Sequence, residues 1–436
     1  MKVFFETFGC KVNVYETSAL IRLFNEAGFE RTDTLSEADV VVINSCTVTE
    51  NADRKARTFV RKARAVVPDA AIVLCGCYAQ AFPDKAAKIQ PDILMGTSDR
   101  STTPQIVLDY LKDREQRNLV HPFTNASYEI MDAEELVEHT RAFLKIQDGC
   151  EKYCSYCAIP KARGPVRSMP LAEVRRQCEG FASNGYKEIV LCGINLSAYG
   201  ADLGCDLGDA VMTCQDIGGI SRIRLSSLEC DILTEDMLEK FAGCDKFCPQ
   251  FHLSLQSGCD RTLRRMNRHY TSDEYYHICE KIRSLFDNPT FTTDIIVGFP
   301  GETEEDFEDS VSFCRKVGFL RAHVFPYSRR SGTMADALPD QITRAEKERR
   351  SRIMIAAMKE RSGEILNSFV GKKERIILEQ PDGNGVFGYS DRYLPCRVIG
   401  DGLQTNQIVI GTVERIENWT AVVIPETIRL QKSPVK

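Results

Sequence analysis

Cys150, Cys154 and Cys157 form a C-x3-C-x2-C array within RAFLKIQDGCEKYCSYCAIPKARGPVRS, residues 141–168, and no other stretch constrains the chain as tightly. Cysteine thiolates are the usual protein ligands of iron–sulfur clusters. Three of them on one short loop can hold three irons of a cubane and leave the fourth iron open to a small molecule. A structural zinc loop is the plainer alternative, and it needs a fourth nearby ligand in a C-x2-4-C or H-x3-5-H pairing. None is present, and the closest histidine, His139, lies upstream on a charged run.

At 436 residues the chain is too long for one compact core, so several domains are expected. Its 43% hydrophobic and 27% charged composition is ordinary for a soluble globular protein. No apolar run approaches the ~18–20 residues that span a bilayer. The start MKVFFETFGC lacks the charged, apolar and small-residue regions of a signal peptide. A cytoplasmic protein without membrane contact is expected. In that reducing compartment 18 cysteines argue for metal binding and buried thiols, and against a disulfide framework. A net charge of −6 does not advertise a nucleic-acid binder, so any such role must rest on local patches.

Three further apolar runs each end at a cysteine: VFFETFG before Cys10, ADVVVINS before Cys46 and AAIVLCG before Cys77. Helical patterns over Tyr15–Ala27 and Asp53–Ala65 follow the first two, which predicts a parallel α/β sheet. Loops at the carboxyl ends of such strands gather on one edge. Cys10, Cys46 and Cys77 are therefore expected to converge as a second three-thiolate site, although each alone reads as a buried apolar cysteine. Cys75, two residues before Cys77, reaches the same face if the strand continues that far.

Residues 117–140, with Pro122, Asn125 and DAEELVEH, lack an apolar period and read as a linker between segments 1–116 and 141–366. The second segment holds six strand candidates, FLKI, EIVLC, RIRLSS, QFHLSLQ, TTDIIVG and AHVFPYS, separated by helical spacers. That repetition predicts a partial (β/α)6 barrel with its site at the strand carboxyl ends. There Gly193 and Gly298 permit close approach, and Asn195, Ser254 and Gln256 offer hydrogen bonds to amino, carboxylate or ribose groups. Ordinary turn chemistry accounts for the same residues. Asp294 reads as structural, Glu302 to Asp306 as the start of a helix, and Leu338–Arg361 as a solvated connecting helix. Residues 367–431 alternate apolar runs with Gly-rich turns, which predicts a small antiparallel barrel of about five strands. Arg54, Arg57, Arg61 and Arg64, and then Arg264, Arg265 and Arg268, could hold a phosphate backbone or simply face solvent.

The strings FGCKVNVYET, VVINSCTVTENADRKAR, CGCYAQ and CSYCAIPKARGPVRS, in this order and spacing, resemble the methylthiotransferase family of radical S-adenosylmethionine enzymes. Within it they are most similar to the enzymes that modify threonylcarbamoyladenosine at position 37 of tRNA. The resemblance runs from near residue 1 to near residue 430 and implies a methylthiotransferase domain, a radical S-adenosylmethionine domain and a TRAM-like RNA-binding barrel. It implies two [4Fe-4S] clusters, one on Cys150, Cys154 and Cys157 with S-adenosylmethionine at its open iron, and an auxiliary one on Cys10, Cys46 and Cys77. Cys77 is favoured over Cys75 as the cysteine of the GCYAQ string. Gly193, Asn195, Ser254 and Gln256 become cofactor contacts, and no catalytic residue is expected beyond the cluster ligands. The partners implied are tRNA, a reductant and a sulfur donor, with Tyr389, Tyr393 and Arg392 as candidate RNA contacts. Two alternatives stand beside this reading: a methylthiotransferase acting on isopentenyladenosine tRNA or a ribosomal protein, and a non-catalytic RNA-binding metalloprotein.

Overall fold

The computed structural model describes residues 1–123, 127–133 and 140–426. Asn125, His139, most of the DAEELVEH run and residues 427–431 lie outside the described residues.

The first part alternates strands and helices: β1 (Lys2–Thr7), α1 (Lys11–Glu26), β2 (Glu30–Arg31), β3 (Val40–Ser45), α2 (Glu50–Val66), β4 (Ala71–Gly76), α3 (Cys77–Ala81), α4 (Pro83–Ala87), β5 (Ile93–Met95), α5 (Thr103–Asp113) and β6 (Arg117–Leu119). They build one parallel sheet in the order β2-β1-β3-β4-β5-β6. Every residue of β3 and β4 is buried, as central strands covered on both faces require. Leu20 and Phe24 of α1 and Val107 of α5 pack on one face, and Ala56, Val60 and Ala63 of α2 on the other. The expected linker needs correction. Arg117–Leu119 pair with Ile93–Met95 and complete the sheet, while Met131 and Ala133 are buried in the central core. A three-residue edge strand of sequence RNL carries no alternation to reveal it.

The central part comprises β7 (Ala142–Lys145), β8 (Gln147–Asp148), α6 (Ile159–Arg163), β9 (Arg167–Ser168), α7 (Leu171–Ser183), β10 (Glu188–Cys192), α8 (Leu207–Gln215), β11 (Arg222–Leu225), β12 (Ser227–Leu228), α9 (Glu235–Ala242), β13 (Gln250–Leu253), α10 (Asp260–Arg265), α11 (Ser272–Leu285), β14 (Thr290–Val297), α12 (Glu304–Val317), β15 (Arg321–Pro326), α13 (Met334–Ala337) and α14 (Arg344–Asn367). Two parallel sheets, β11-β10-β7 and β12-β13-β14-β15, follow one another as a partial barrel. The expected RIRLSS strand is split between them. Ser226 donates its backbone N–H to the Leu191 carbonyl at 2.9 Å, so β11 stays with β10 while β12 turns to pair with β13. Alternation sorts the side chains: Phe251, Leu253, Phe291 and Ile295 join the core under the helices. On the other face Thr292 links β14 to β13, its hydroxyl lying 3.0 Å from Gln250 Nε2 and 3.0 Å from His252 Nδ1.

Two helix expectations also shift. Thr303 caps α12, which starts at Glu304, while Glu302 is buried outside the helix and pairs with Arg350 at 2.7 Å. Since Arg350 belongs to α14, that helix is anchored by a buried ion pair and is more than a solvated connector.

The C-terminal strands β16 (Lys373–Asp382), β17 (Gly385–Ser390), β18 (Pro395–Val398), β19 (Ile408–Glu417) and β20 (Thr420–Pro425) close in the order β16-β17-β18-β20-β19. Four neighbouring pairs are antiparallel and β18 with β20 is parallel, because an odd number of strands in a ring cannot alternate throughout.

Candidate active site

The loop bearing Cys150, Cys154 and Cys157 connects β8 to α6 and is tied at both ends. Cys150 N–H donates to the Gly164 carbonyl at 3.0 Å, and Ser155 N–H to the Met266 carbonyl at 2.9 Å. Gly149 has φ +78°, and a Cβ there would meet the Pro165 oxygen at 1.7 Å, so only glycine closes this loop. The three cysteines are half-buried. Arg268 Nη1 lies 3.3 Å from Cys154 Sγ and 3.3 Å from Glu229 Oε1. Burial pushes the Cys150 thiol up to about 11 and the Cys157 thiol up to about 12.

Cys10, Cys46 and Cys77 do come together at the carboxyl ends of β1, β3 and β4. A Cβ on Gly9, whose φ is +120°, would sit 2.8 Å from Cys46 Cβ, so this glycine lets the Cys10 and Cys46 loops touch. Asn13 Oδ1 lies 3.5 Å from Cys10 Sγ and 3.4 Å from Arg163 Nη2, and Arg163 Nε donates to Cys77 Sγ at 3.1 Å. Cys75 points the other way. It is fully buried in the core beneath α1, with its thiol 3.5 Å from the Ile43 carbonyl. Among the described residues no three His, Cys, Asp or Glu side chains are close enough to hold a single metal ion. A cubane asks for something different, since each thiolate binds a different iron and the sulfurs stand further apart.

A buried charge network joins the two cysteine sets. Glu16 of α1 accepts from Arg163 Nη1 at 2.5 Å, Arg100 Nη2 at 2.6 Å and Lys145 Nζ at 2.9 Å. Lys145 and Arg163 also reach Asp148, at 2.5 and 3.3 Å. Burial alone would raise the Glu16 carboxyl, but Arg100, Arg163 and Lys145 hold it well below the usual carboxylate range. With Arg167, whose Nη2 lies 3.6 Å from Asp148 Oδ2, four cations thus face two carboxylates. Buried cations in excess of their carboxylates are costly, and a thiolate-bound cluster at Cys77 would place negative charge against Arg163 Nε. The donor set therefore fits a [4Fe-4S] cluster.

The strand-end residues are only partly as expected. Asn195 is 5% exposed and its Oδ1 has no partner within the protein, which suits an atom kept for a ligand. Gln256 holds φ +67°, a left-handed conformation that non-glycine residues seldom adopt, fixed by its backbone bonds to Asp294 and Ile296. Ser254 is buried beside it, and its carbonyl accepts from Tyr270 Oη at 2.8 Å. Gly193 lies at the same edge, but the space of its missing Cβ is filled by Gln147 Oε1, and that of Gly298 by Lys347. Asp294 Oδ2 lies 3.4 Å from His252 Nε2 inside the barrel.

The arginines divide sharply. Arg268 is buried at Cys154, Arg265 pairs with Asp306 at 3.2 Å, and Arg64 pairs with Asp92 at 2.6 Å, so these are structural cations. Arg54, Arg61 and Arg264 are exposed. Tyr389 and Tyr393 are half-buried in contacts within the chain. They stack at 4.5 Å beneath Arg141, with Arg224 over Tyr393, while Arg392 pairs with Glu374 at 3.0 Å. This turn docks the C-terminal barrel onto the amino-terminal ends of the partial-barrel strands. The residues that spacing did not single out are Gln147, Arg163 and Glu229, while Arg268, expected at a phosphate or in solvent, instead meets Cys154; Arg163 lay within the CSYCAIPKARGPVRS string, but nothing in sequence marked its contact with Cys77.

Residues 144–314 match the family model described as the Radical SAM superfamily, and residues 2–96 match that of the uncharacterized protein family UPF0004. The threonylcarbamoyladenosine tRNA methylthiotransferase MtaB of Bacillus subtilis is 38% identical over 425 residues, covering 95% of this chain and 93% of the relative. MtaB of Aquifex aeolicus is 38% identical over 380 residues, 87% of this chain and 93% of that one. The tRNA-2-methylthio-N(6)-dimethylallyladenosine synthase of Clostridium perfringens is 34% identical over 389 residues, 87% and 86% of the two chains. Among solved structures, the radical S-adenosylmethionine methyltransferase TsrM of Kitasatospora setae superposes with a TM-score of 0.57 at 14% identity over 77% of this chain and 76% of its own, which is a likeness of fold. With a radical S-adenosylmethionine barrel, three cysteines on its cluster loop and full-length relatives of this kind, the chain belongs to the radical S-adenosylmethionine tRNA methylthiotransferases of the MtaB type.

Proposed function

We propose that this enzyme transfers a methylthio group to C2 of N6-threonylcarbamoyladenosine at position 37 of tRNA, using two [4Fe-4S] clusters. One would be held by Cys150, Cys154 and Cys157 and would present S-adenosylmethionine to Asn195, Ser254 and Gln256. The other would be held by Cys10, Cys46 and Cys77. When bound, the reducing cluster and its cofactor supply radical chemistry that acid–base side chains cannot, and the second cluster offers sulfur. The chain's own part is to seat these groups on adjoining loops: α3, which begins at Cys77, packs on α6, and Thr97 Oγ1 donates to the Ala162 carbonyl at 2.6 Å. The observation that carries the two-cluster reading is the contact of Arg163 Nε with Cys77 Sγ at 3.1 Å, made from a buried network whose cations outnumber its carboxylates. In this division residues 1–116 carry the auxiliary cluster, 141–366 the radical chemistry and 367–431 the RNA-holding barrel. A reductant, a sulfur donor and tRNA are the partners, in the cytoplasm.

The similarity to the Clostridium perfringens synthase favours a second reading, with dimethylallyladenosine as the modified base. Mass spectrometry of tRNA nucleosides from a deletion strain separates the two. Loss of methylthio-threonylcarbamoyladenosine, restored by the intact gene but not by Cys10→Ala, is the expected result. Loss of methylthio-dimethylallyladenosine instead would overturn the assignment.

A further inference from the structure

Arg163 is fully buried on α6, just past Cys157, yet its side chain reaches across to the other cysteine set. Its Nη1 and Nη2 grip the two oxygens of Glu16 at 2.5 and 3.0 Å, a fork-on-fork pair that fixes the guanidinium plane. That leaves Nε, 3.1 Å from Cys77 Sγ, as the edge turned toward the thiol. Arg268 at Cys154 is different, because its partner Glu229 makes no other ion pair among the described residues. Arg163 shares its carboxylates with Arg100 and Lys145 and so keeps surplus positive charge.

We propose that Arg163 is a positioning residue that sets the reduction potential of the cluster held by Cys10, Cys46 and Cys77, donating from Nε to the Cys77 thiolate while Glu16 fixes its plane. The proposal rests on the two-cluster reading above. Hydrogen bonds to ligating sulfur and net charge nearby are among the levers that set iron–sulfur potentials. A donor and a positive charge both favour the reduced, more negative state, and in a water-excluded site the effect is stronger than at a surface. Lysine does not replace this group, because it has no second edge to hold Glu16 while donating to sulfur.

The test uses full-length protein carrying Cys150→Ala, Cys154→Ala and Cys157→Ala, reconstituted anaerobically so that only the auxiliary cluster remains. Iron per chain is counted and the midpoint potential is read by titration followed by electron paramagnetic resonance. Arg163→Met is expected to keep the cluster and shift the midpoint to more negative values, with Arg163→Lys in between. Glu16→Gln removes a negative charge from the same network and is expected to shift it the opposite way, although both changes destabilise the fold. Opposite potential shifts with a shared loss of stability are what a merely structural role cannot produce. An unchanged midpoint on a full cluster, or shifts of the same sign in Arg163→Met and Glu16→Gln, overturns the proposal. If Arg163→Met holds no iron, Arg163→Lys decides, and a wild-type midpoint there overturns it. Absence of iron with Arg163 intact overturns the two-cluster reading itself, and the proposal with it.

Discussion

Arg222 donates from Nη1 to the Tyr389 carbonyl at 2.9 Å and from Nη2 to the Ser390 carbonyl at 2.8 Å, although more than 160 residues separate it from either. Its Nε meets Glu188 Oε2 at 2.8 Å and Asp391 Oδ1 at 3.1 Å, and the side chain is fully buried. The floor of the partial barrel is thus sealed by the C-terminal barrel, at the end of the strands away from the cysteines.

Arg222→Ala removes one member of this buried set and leaves Glu188 with Arg224 alone as its close partner. Breaking a buried ion pair in this way costs on the order of 3–5 kcal/mol. The thermal midpoint should fall by several degrees, and limited proteolysis should release the C-terminal barrel earlier than in the parent. A midpoint and cleavage pattern equal to the parent's would show that the docking contacts carry little stability.

Glu188 gives this seal a pH dependence. Burial opposes its ionisation, but Arg222, Arg224 and Arg141 prevail and hold the carboxyl at about 2 against an ordinary 4.5. A depressed folded value means the contribution is fully present above about 4.5 and is lost as pH falls toward 2. The shift corresponds to about 3 kcal/mol. Denaturant unfolding between pH 6 and 3 should show wild type losing stability more steeply than Glu188→Gln. Parallel slopes would remove Glu188 from the acid response.

The parts of this architecture that sequence revealed are those dictated by local pattern. VVVINS and AIVLCG announce buried parallel strands, and Cys46 and Cys77, the residues that follow them, announce a shared edge, because both follow from periodicity and from where strand ends gather. Arg163 on Cys77 was not legible, since Glu16, Arg100 and Arg163 come from three segments and only the folded chain makes them neighbours. Tyr389, Tyr393 and Arg392 were misread for a related reason. Aromatic stacking with arginine serves RNA and a protein interface equally, and local sequence does not say which surface is opposite. The break at Ser226 arises from one backbone hydrogen bond that no side-chain pattern encodes.

Cys75 and Cys77 offer a direct check on the ligand choice. Cys75 is packed in apolar core with no route to Cys10 or Cys46, whereas Cys77 opens α3 beside Arg163. Reconstituted Cys75→Ala should keep about eight irons and Cys77→Ala about four, as expected for independent cubanes. The reverse pattern would transfer the ligand role to Cys75.

The helix α2 presents the clearest remaining basic face for tRNA. Its buried residues are Asp53, Ala56, Val60 and Ala63, so Arg54 and Arg61 lie on the opposite, exposed side, just beyond the Cys46 loop. Neither appears among the ion pairs of the described residues, and Arg54 contacts only the neutral Asn51, at 2.8 Å. Arg64, at the far end, is already committed to Asp92. Replacing a cation that neutralises a phosphate weakens binding and lowers the salt slope by about one per contact. Arg54→Ala/Arg61→Ala should therefore reduce the slope of tRNA affinity against salt by about two while leaving the thermal midpoint near the parent's. Arg64→Ala should do the opposite, lowering stability with an unchanged slope. A double variant that binds tRNA with the parent's slope would mean that α2 faces solvent, and that the phosphate backbone is held elsewhere on the chain.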